Sequence, residues 1–271
     1  MRIARFAHGT GMSFGVVEGE SRVGPDGLTV AQIDAHPFGE IRFTGQRWAL
    51  ADVRLLSPIL PSKIVCVGRN YAEHAAELGN QVPAEPMIFL KPSTAVIGPH
   101  DTVRLPPQSS QVEHEAELAV VIGPPGARRV DRAGAARAIF GYTCGNDVTA
   151  RDLQRKDGQW TRAKGFDSFC PLGPWIETDL DVSDVEVRCE VTPAGGGPDA
   201  VAEVRQLGRT KDMVFDPATL VSYVSHVMTL LPGDVVLTGT PAGVGPLTEG
   251  DAVTVQVEGI GALTNRVVSL D

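Results

Sequence analysis

The stretch Val112-Glu113-His114-Glu115-Ala116-Glu117-Leu118-Ala119-Val120-Val121-Ile122-Gly123 opens with acids at alternate positions and closes in an unbroken apolar run. Strand side chains alternate faces with period two, so Glu113, Glu115 and Glu117 point the same way. Carboxylates side by side on one face repel unless water, a proton or a cation relieves them. The run Leu118 to Ile122 carries the strand into the core, where bulk water is scarce. A hard divalent ion such as Mg²⁺, Mn²⁺ or Ca²⁺ suits an all-oxygen ligand set. The plainer reading is a solvent-facing edge strand with acidic decoration. The rest of the chain decides between them.

The 271 residues suffice for one large domain, or for one domain with a smaller companion. A net charge of −9 argues against a nucleic-acid partner. Cys66, Cys144, Cys170 and Cys189 form no C-x-x-C pair, which removes support for zinc-ribbon or thioredoxin-like chemistry. They read as reduced thiols of a cytoplasmic protein. Residues 1–15 lack the apolar segment of a signal peptide, and no apolar run approaches the ~20 residues a membrane helix needs.

Short strands are expected over Ile3–Phe6, Ser13–Val17, Thr29–Ile33 and Ile41–Leu50, between glycine-rich turns. Pro58 and Pro61 then punctuate the chain. This divides it into a small N-terminal β-rich domain, residues 1–57, and a larger domain, residues 58–271. The larger one starts with the apolar strand Ile64–Gly68, and a helix is expected over Tyr71–Gly79 with Gly79 as its C-terminal cap. Asp131 and Asp216 are N-cap candidates for two further helices, the second with Pro217 at its first position. Strands at Val235–Thr238, Ala252–Val257 and Ala262–Val268 end the chain, and Gly195–Gly197 reads as a hairpin loop. The fold class is α+β and β-dominated, without regular βαβ alternation.

Several residues could carry chemistry. Asp147 follows the apolar run Ile139–Cys144 at a strand-to-helix turn and would complete a three-carboxylate set with Glu115 and Glu117. Alternatively, Asp147 or Thr149 is only a helix N-cap. His74 and Glu77 share a helix face, which suits a general base acting on water or forms a simple surface ion pair. Arg69, Arg151 and Lys164 could meet a carboxylate substrate, or neutralise nearby acids, with Arg151 in a helical pair to Asp147. Gly239-Thr240-Pro241-Ala242-Gly243-Val244-Gly245 lacks the ending of a phosphate loop but can line a pocket through Thr240. His226 reads as packed or capping, and no G-x-S-x-G motif is present.

Together, Gly68-Arg-Asn-Tyr-Ala-Glu-His74, Phe89-Leu-Lys-Pro-Ser-Thr94, His114-Glu-Ala-Glu-Leu118, Asn146-Asp-Val-Thr-Ala-Arg-Asp152, Ala163-Lys-Gly-Phe-Asp167 and Leu237-Thr-Gly-Thr-Pro241 resemble the fumarylacetoacetate hydrolase family. The match spans about residues 62–268 in order. The resemblance implies a mixed β-roll catalytic domain, a homodimer and Mg²⁺ or Mn²⁺. It assigns the metal to Glu115, Glu117 and Asp147 and leaves Glu113 aside. It makes His74 and Glu77 the base pair, on a segment that orders over bound substrate in relatives. It places Lys164, Arg151, Gln154 and Thr240 around the substrate, with Arg69 a further candidate. Residues 78–85 are where relatives differ.

The expected reaction is cleavage of a carbon–carbon bond in a 2-oxo acid of the acylpyruvate type, through a stabilised enolate. The same enolate serves oxaloacetate decarboxylation or isomerisation of 2-hydroxyhepta-2,4-diene-1,7-dioate in aromatic-acid breakdown. A metal-binding protein without turnover is a remote alternative, because every expected catalytic residue is present. Phosphoryl chemistry lacks a phosphate cradle.

Overall fold

A computed structural model describes residues 1–9, 11–19, 27–77, 79–195 and 201–270. Leu78, Gly196 and Gly197, which bear on the expected substrate-covering segment and hairpin loop, lie outside them. The N-terminal strands are β1 (Arg2–His8), β2 (Gly11–Glu18), β3 (Thr29–Ile33), β4 (Phe43–Ala49) and β5 (Arg54–Leu56). They lead to β6 (Ile64–Gly68), α1 (Ala72–Glu77), β7 (Met87–Lys91), β8 (Val96–Ile97), β9 (Thr102–Leu105), β10 (Val112–His114) and β11 (Ala116–Ile122). Next come α2 (Arg132–Ala138), β12 (Ile139–Asn146), β13 (Thr149–Ala150), α3 (Arg151–Asp157), α4 (Thr161–Lys164) and β14 (Cys170–Glu177). The chain ends with β15 (Glu186–Thr192), β16 (Glu203–Arg209), α5 (Pro217–Val227), β17 (Val235–Leu237), β18 (Gly245–Pro246), β19 (Ala252–Val257) and β20 (Gly261–Ser269).

Among the described residues a mixed sheet runs β4-β3-β2-β1-β14-β12-β11-β17-β6-β7, with β5 paired to β1 and β8 to β14. A second sheet runs β16-β15-β19-β20-β9, and a small one runs β13-β10-β18. The architecture is the β-dominated α+β fold expected from the sequence.

The apolar run of β11 is explained by burial on both faces. Leu118 packs with Val187, Cys189, Val253 and Val255 of the five-stranded sheet. Ala119 and Val121 join Ile64, Cys66, Leu172 and Leu237. Val120 and Ile122 meet Ala135 and Ala138 of α2 and Leu220, Val221 and Val224 of α5. Both helices start as expected, with Asp131 accepting from the Gly134 N–H at 2.7 Å and Asp216 from the Thr219 N–H at 2.9 Å.

One expectation needs correction. Residues 112–122 are not a continuous strand: β10 and β11 belong to different sheets, and Glu115 is the break. The Glu115 N–H donates to the Asn146 side chain at 3.0 Å rather than to a ladder carbonyl, while its own carbonyl accepts from the Asp147 N–H at 2.9 Å. The chain therefore turns where the acids begin. That turn brings Glu115 beside Asp147.

Candidate active site

The acids converge at the end of β11. Carboxylate oxygens of Glu115, Glu117 and Asp147 lie within 4.8 Å of one another, and all three residues are buried. They line a cavity of about 320 Å³ together with Arg69, His74, Arg151, Gln154, Lys164, Thr240, Phe89, Arg155 and Trp160. Nine of the ten residues expected to form the site thus line one cavity. The tenth, Glu77, stands behind His74: its Oε2 lies 3.2 Å from His74 Nδ1, and its carboxylate accepts from the Gly243 N–H at 3.1 Å. The pair is anchored to the loop beside the site, not floating at the surface.

Asp147 is not a helix cap. Position N-cap of α3 is Ala150, without a side-chain bond. Instead Asp147 Oδ2 accepts from Lys164 Nζ at 2.7 Å, and Oδ1 accepts from Lys91 Nζ at 2.6 Å. Lys164 also donates to Glu115 Oε2 at 2.8 Å. Arg151 does not pair with Asp147. Its Nε donates to Glu113 at 2.7 Å, one terminal nitrogen donates to Glu115 at 2.6 Å, and the other donates to Gln154 at 2.5 Å.

These contacts divide the acids electrostatically. Burial opposes the charge on Glu115, but Lys164 and Arg151 outweigh it and hold its carboxyl well below the usual range. Burial, reinforced by Asp147 and Glu115, pushes the Glu117 carboxyl well above that range. The Gly239 N–H at 2.6 Å offsets only part of this. Gly239 has φ +97°, and a Cβ there would meet the Cβ of Asn70 at 2.7 Å, so glycine is what lets this N–H reach Glu117. Lys164 is raised, because Asp147 and Glu115 outweigh the burial that would lower it.

A buried carboxyl that resists ionisation beside two other acids is relieved by a divalent cation. Four buried acids (Glu113, Glu115, Glu117 and Asp147) meet three buried bases (Lys91, Arg151 and Lys164), so the bases match the acids in number only while Glu117 keeps its proton. The donor set is all oxygen, as Mg²⁺ and Mn²⁺ prefer, so the residues present fit such an ion.

Three residues of the site were given no role by the sequence reading. Lys91 is one of them, although a lone lysine in the apolar strand Met87–Lys91 was the available signal. Glu113, set aside as a metal ligand, grips Arg151. Gln206 carried no local signal, yet it is buried beside the site and bonded to Ala116 and Thr240. Thr240 lines the cavity, and its hydroxyl donates to the Ala116 carbonyl at 2.8 Å. His226 is exposed, bonded through Nδ1 to the Ser222 carbonyl. All four cysteines are free and buried, and burial pushes the Cys144 and Cys170 thiols up to about 12. Among the described residues no helix is long and apolar enough to cross a membrane.

Comparison with known proteins identifies the family. The model of the fumarylacetoacetate (FAA) hydrolase C-terminal domain matches residues 63–268, and that of an Rv2993c-like N-terminal region matches residues 1–58. The crystal structure of 5-carboxymethyl-2-hydroxymuconate delta-isomerase from Mycobacterium smegmatis is 55% identical and superposes with a TM-score of 0.88, covering 100% of both chains. Mitochondrial oxaloacetate tautomerase FAHD2A of Homo sapiens is 43% identical over 231 residues, covering 80% of this chain and 70% of that protein. Fumarylpyruvate hydrolase from Pseudomonas aeruginosa, crystallised with Mn²⁺ and pyruvate, is 33% identical with a TM-score of 0.70, covering 78% of this chain and 91% of that one. The chain is a member of the fumarylacetoacetate hydrolase family.

Proposed function

We propose that this protein is a Mg²⁺- or Mn²⁺-dependent enzyme that forms and reprotonates the enolate of a 2-oxo acid, interconverting tautomers or double-bond isomers. The observation that carries this reading is the convergence of Glu115, Glu117 and Asp147 in one cavity with His74, Lys164 and Arg151. A divalent cation held by the three carboxylates supplies Lewis-acid stabilisation of the developing negative charge. With Glu117 deprotonated on the ion, the four acids, three bases and the cation would carry one positive charge in excess, which suits an anionic substrate.

The chain's own residues do the rest. Lys164 donates to both Glu115 and Asp147 and holds them aimed at the cavity. Arg151, braced by Glu113, holds Glu115 from the other side. Arg69 and Gln154 face the substrate's oxygens, and Phe89 and Trp160 supply an apolar wall. His74 has Nδ1 engaged by Glu77, which leaves Nε2 to take and return a proton.

The likeness to an isomerase over the whole chain, and to an oxaloacetate tautomerase over most of it, favours proton transfer. Carbon–carbon bond hydrolysis, the reaction expected from the sequence, is the second reading. It is supported by the hydrolase relative and by the same His74–Glu77 pair, which could activate water. The deciding experiment treats metal-stripped protein with oxaloacetate, 5-carboxymethyl-2-hydroxymuconate and acetylpyruvate, with and without Mn²⁺. The expected result is Mn²⁺-dependent tautomer or isomer exchange with no CO₂ released and no acid fragment. Acid fragments with solvent oxygen incorporated would establish the hydrolase instead, and CO₂ release a decarboxylase. No Mn²⁺-dependent change in any substrate would overturn the proposal.

A further inference from the structure

The carboxylate strand has an unusual edge at Ala116. Partner strand β17 pairs with β11 only at Ala119, Val120 and Val121. Beyond that, the Thr238 N–H reaches the Leu118 carbonyl, and no strand continues alongside Ala116 on that side among the described residues. Two side chains take its place. Gln206 Oε1 accepts from the Ala116 N–H at 3.0 Å, and the Thr240 hydroxyl donates to the Ala116 carbonyl at 2.8 Å.

Gln206 joins these elements through four contacts. Its Nε2 donates to Thr240 Oγ1 at 2.7 Å and to the Pro241 carbonyl at 2.8 Å, and its Oε1 lies 2.9 Å from His114 Nδ1. A backbone N–H on one side and a backbone carbonyl on the other leave a single orientation for the amide. That orientation fixes His114 as the Nδ1–H tautomer, because Oε1 can only accept. It also commits the Thr240 hydroxyl proton to the Ala116 carbonyl. Gln206 comes from β16, the edge strand of the other large sheet, and is 1% exposed.

We infer that Gln206 is a positioning residue: it replaces the missing strand at Ala116 and so sets the spacing of Glu115 and Glu117 for a divalent cation. Ala116 separates those two carboxylates, and its peptide units determine where each side chain starts. The inference rests on the reading of Glu115, Glu117 and Asp147 as cation ligands. Among the described residues Gln206 does not line the cavity, and its hydrogen bonds go to His114, Ala116, Thr240 and Pro241 rather than to the carboxylates.

The test uses the full chain with Gln206→Met and Gln206→Leu, which keep apolar bulk and remove all four contacts. Mn²⁺ binding is measured by calorimetry, and the bound ion by electron paramagnetic resonance, alongside melting of the metal-free protein. The expected result is a Kd for Mn²⁺ raised roughly tenfold or more, with a changed spectrum, as is usual when groups orienting metal ligands are lost. A folded variant with Kd within about twofold of wild type and the same spectrum overturns the inference, however far its melting point drops. If neither variant folds, the role is structural and the inference is likewise overturned. Failure of the wild-type protein to bind Mn²⁺ would be a separate result, removing the proposed function and this inference with it.

Discussion

Lys91 Nζ lies 2.6 Å from Asp147 Oδ1, across 56 residues of sequence, with both side chains sealed from solvent. Asp147 is thus held by two ammonium groups, because Lys164 takes its other oxygen. Removing one partner of a buried pair strands the other's charge. Lys91→Met is expected to cost about 3 kcal/mol in the metal-free protein, the low end for such a loss because Lys164 remains. Urea unfolding measures it, and saturating Mn²⁺ should narrow the deficit by neutralising Asp147. Equal midpoints for variant and wild type would contradict the pairing's importance.

Glu117 sets the pH dependence of the metal-free protein. Burial first, then Asp147 and Glu115, hold its carboxyl well above the usual range. The folded state therefore keeps a proton that the unfolded state releases. Stability falls as pH rises from the ordinary carboxylate range through Glu117's raised value. Glu115 acts in a different window: despite burial, Lys164 and Arg151 lower it, so its contribution is lost only on acidification below the ordinary range. Glu117→Gln should abolish the first slope and leave the variant more stable than metal-free wild type at pH 8. The same variant should bind Mn²⁺ at least about tenfold more weakly. Melting curves at several pH values, with a Mn²⁺ titration, check both; a variant that keeps the slope refutes the assignment.

Glu113 supports the site through Arg151, 38 residues away. Glu113→Gln removes the charge that Arg151 Nε faces and leaves Glu115 as the carboxylate partner of the guanidinium. A loss of about tenfold in kcat/KM is expected, typical of a group that orients a site residue. Steady-state kinetics on whichever of the three trial substrates turns over would measure it, and an unchanged kcat/KM would mean that Glu113 only balances charge.

His74→Asn separates proton transfer from metal binding. A general base contributes roughly 10²–10⁴ in rate, so kcat should fall by that order while Mn²⁺ affinity stays near wild type. Glu77→Gln should fall less, since its Gly243 contact can persist. A variant of His74 with full turnover would remove it from the mechanism.

Local sequence carried much of this site because its residues cluster in motifs. Alternation placed Glu115 and Glu117 on one side, and the apolar run predicted deep burial on β11. The six motifs identified a family that the whole-domain match bears out. The caps at Asp131 and Asp216 were equally readable, since an N-cap bonds only three residues ahead. The break at Glu115 was not. A strand turns where its ladder partner is replaced, and here that partner is the Asn146 side chain, 31 residues away.

The sequence by itself determined the class of fold and the start of two helices, and its six motifs determined the family. Periodicity serves the fold because it encodes which face a side chain takes. Tertiary structure alone decided the pairings: Lys91 with Asp147, Arg151 with Glu113 rather than Asp147, and Gln206 with Ala116, 90 residues apart. Gln206 meets Ala116 where two sheets close over one another, and the other two pairs join elements far apart along the chain. The strength of a buried ion pair or hydrogen bond depends on distance, direction and exclusion of water, none of which a period of two contains.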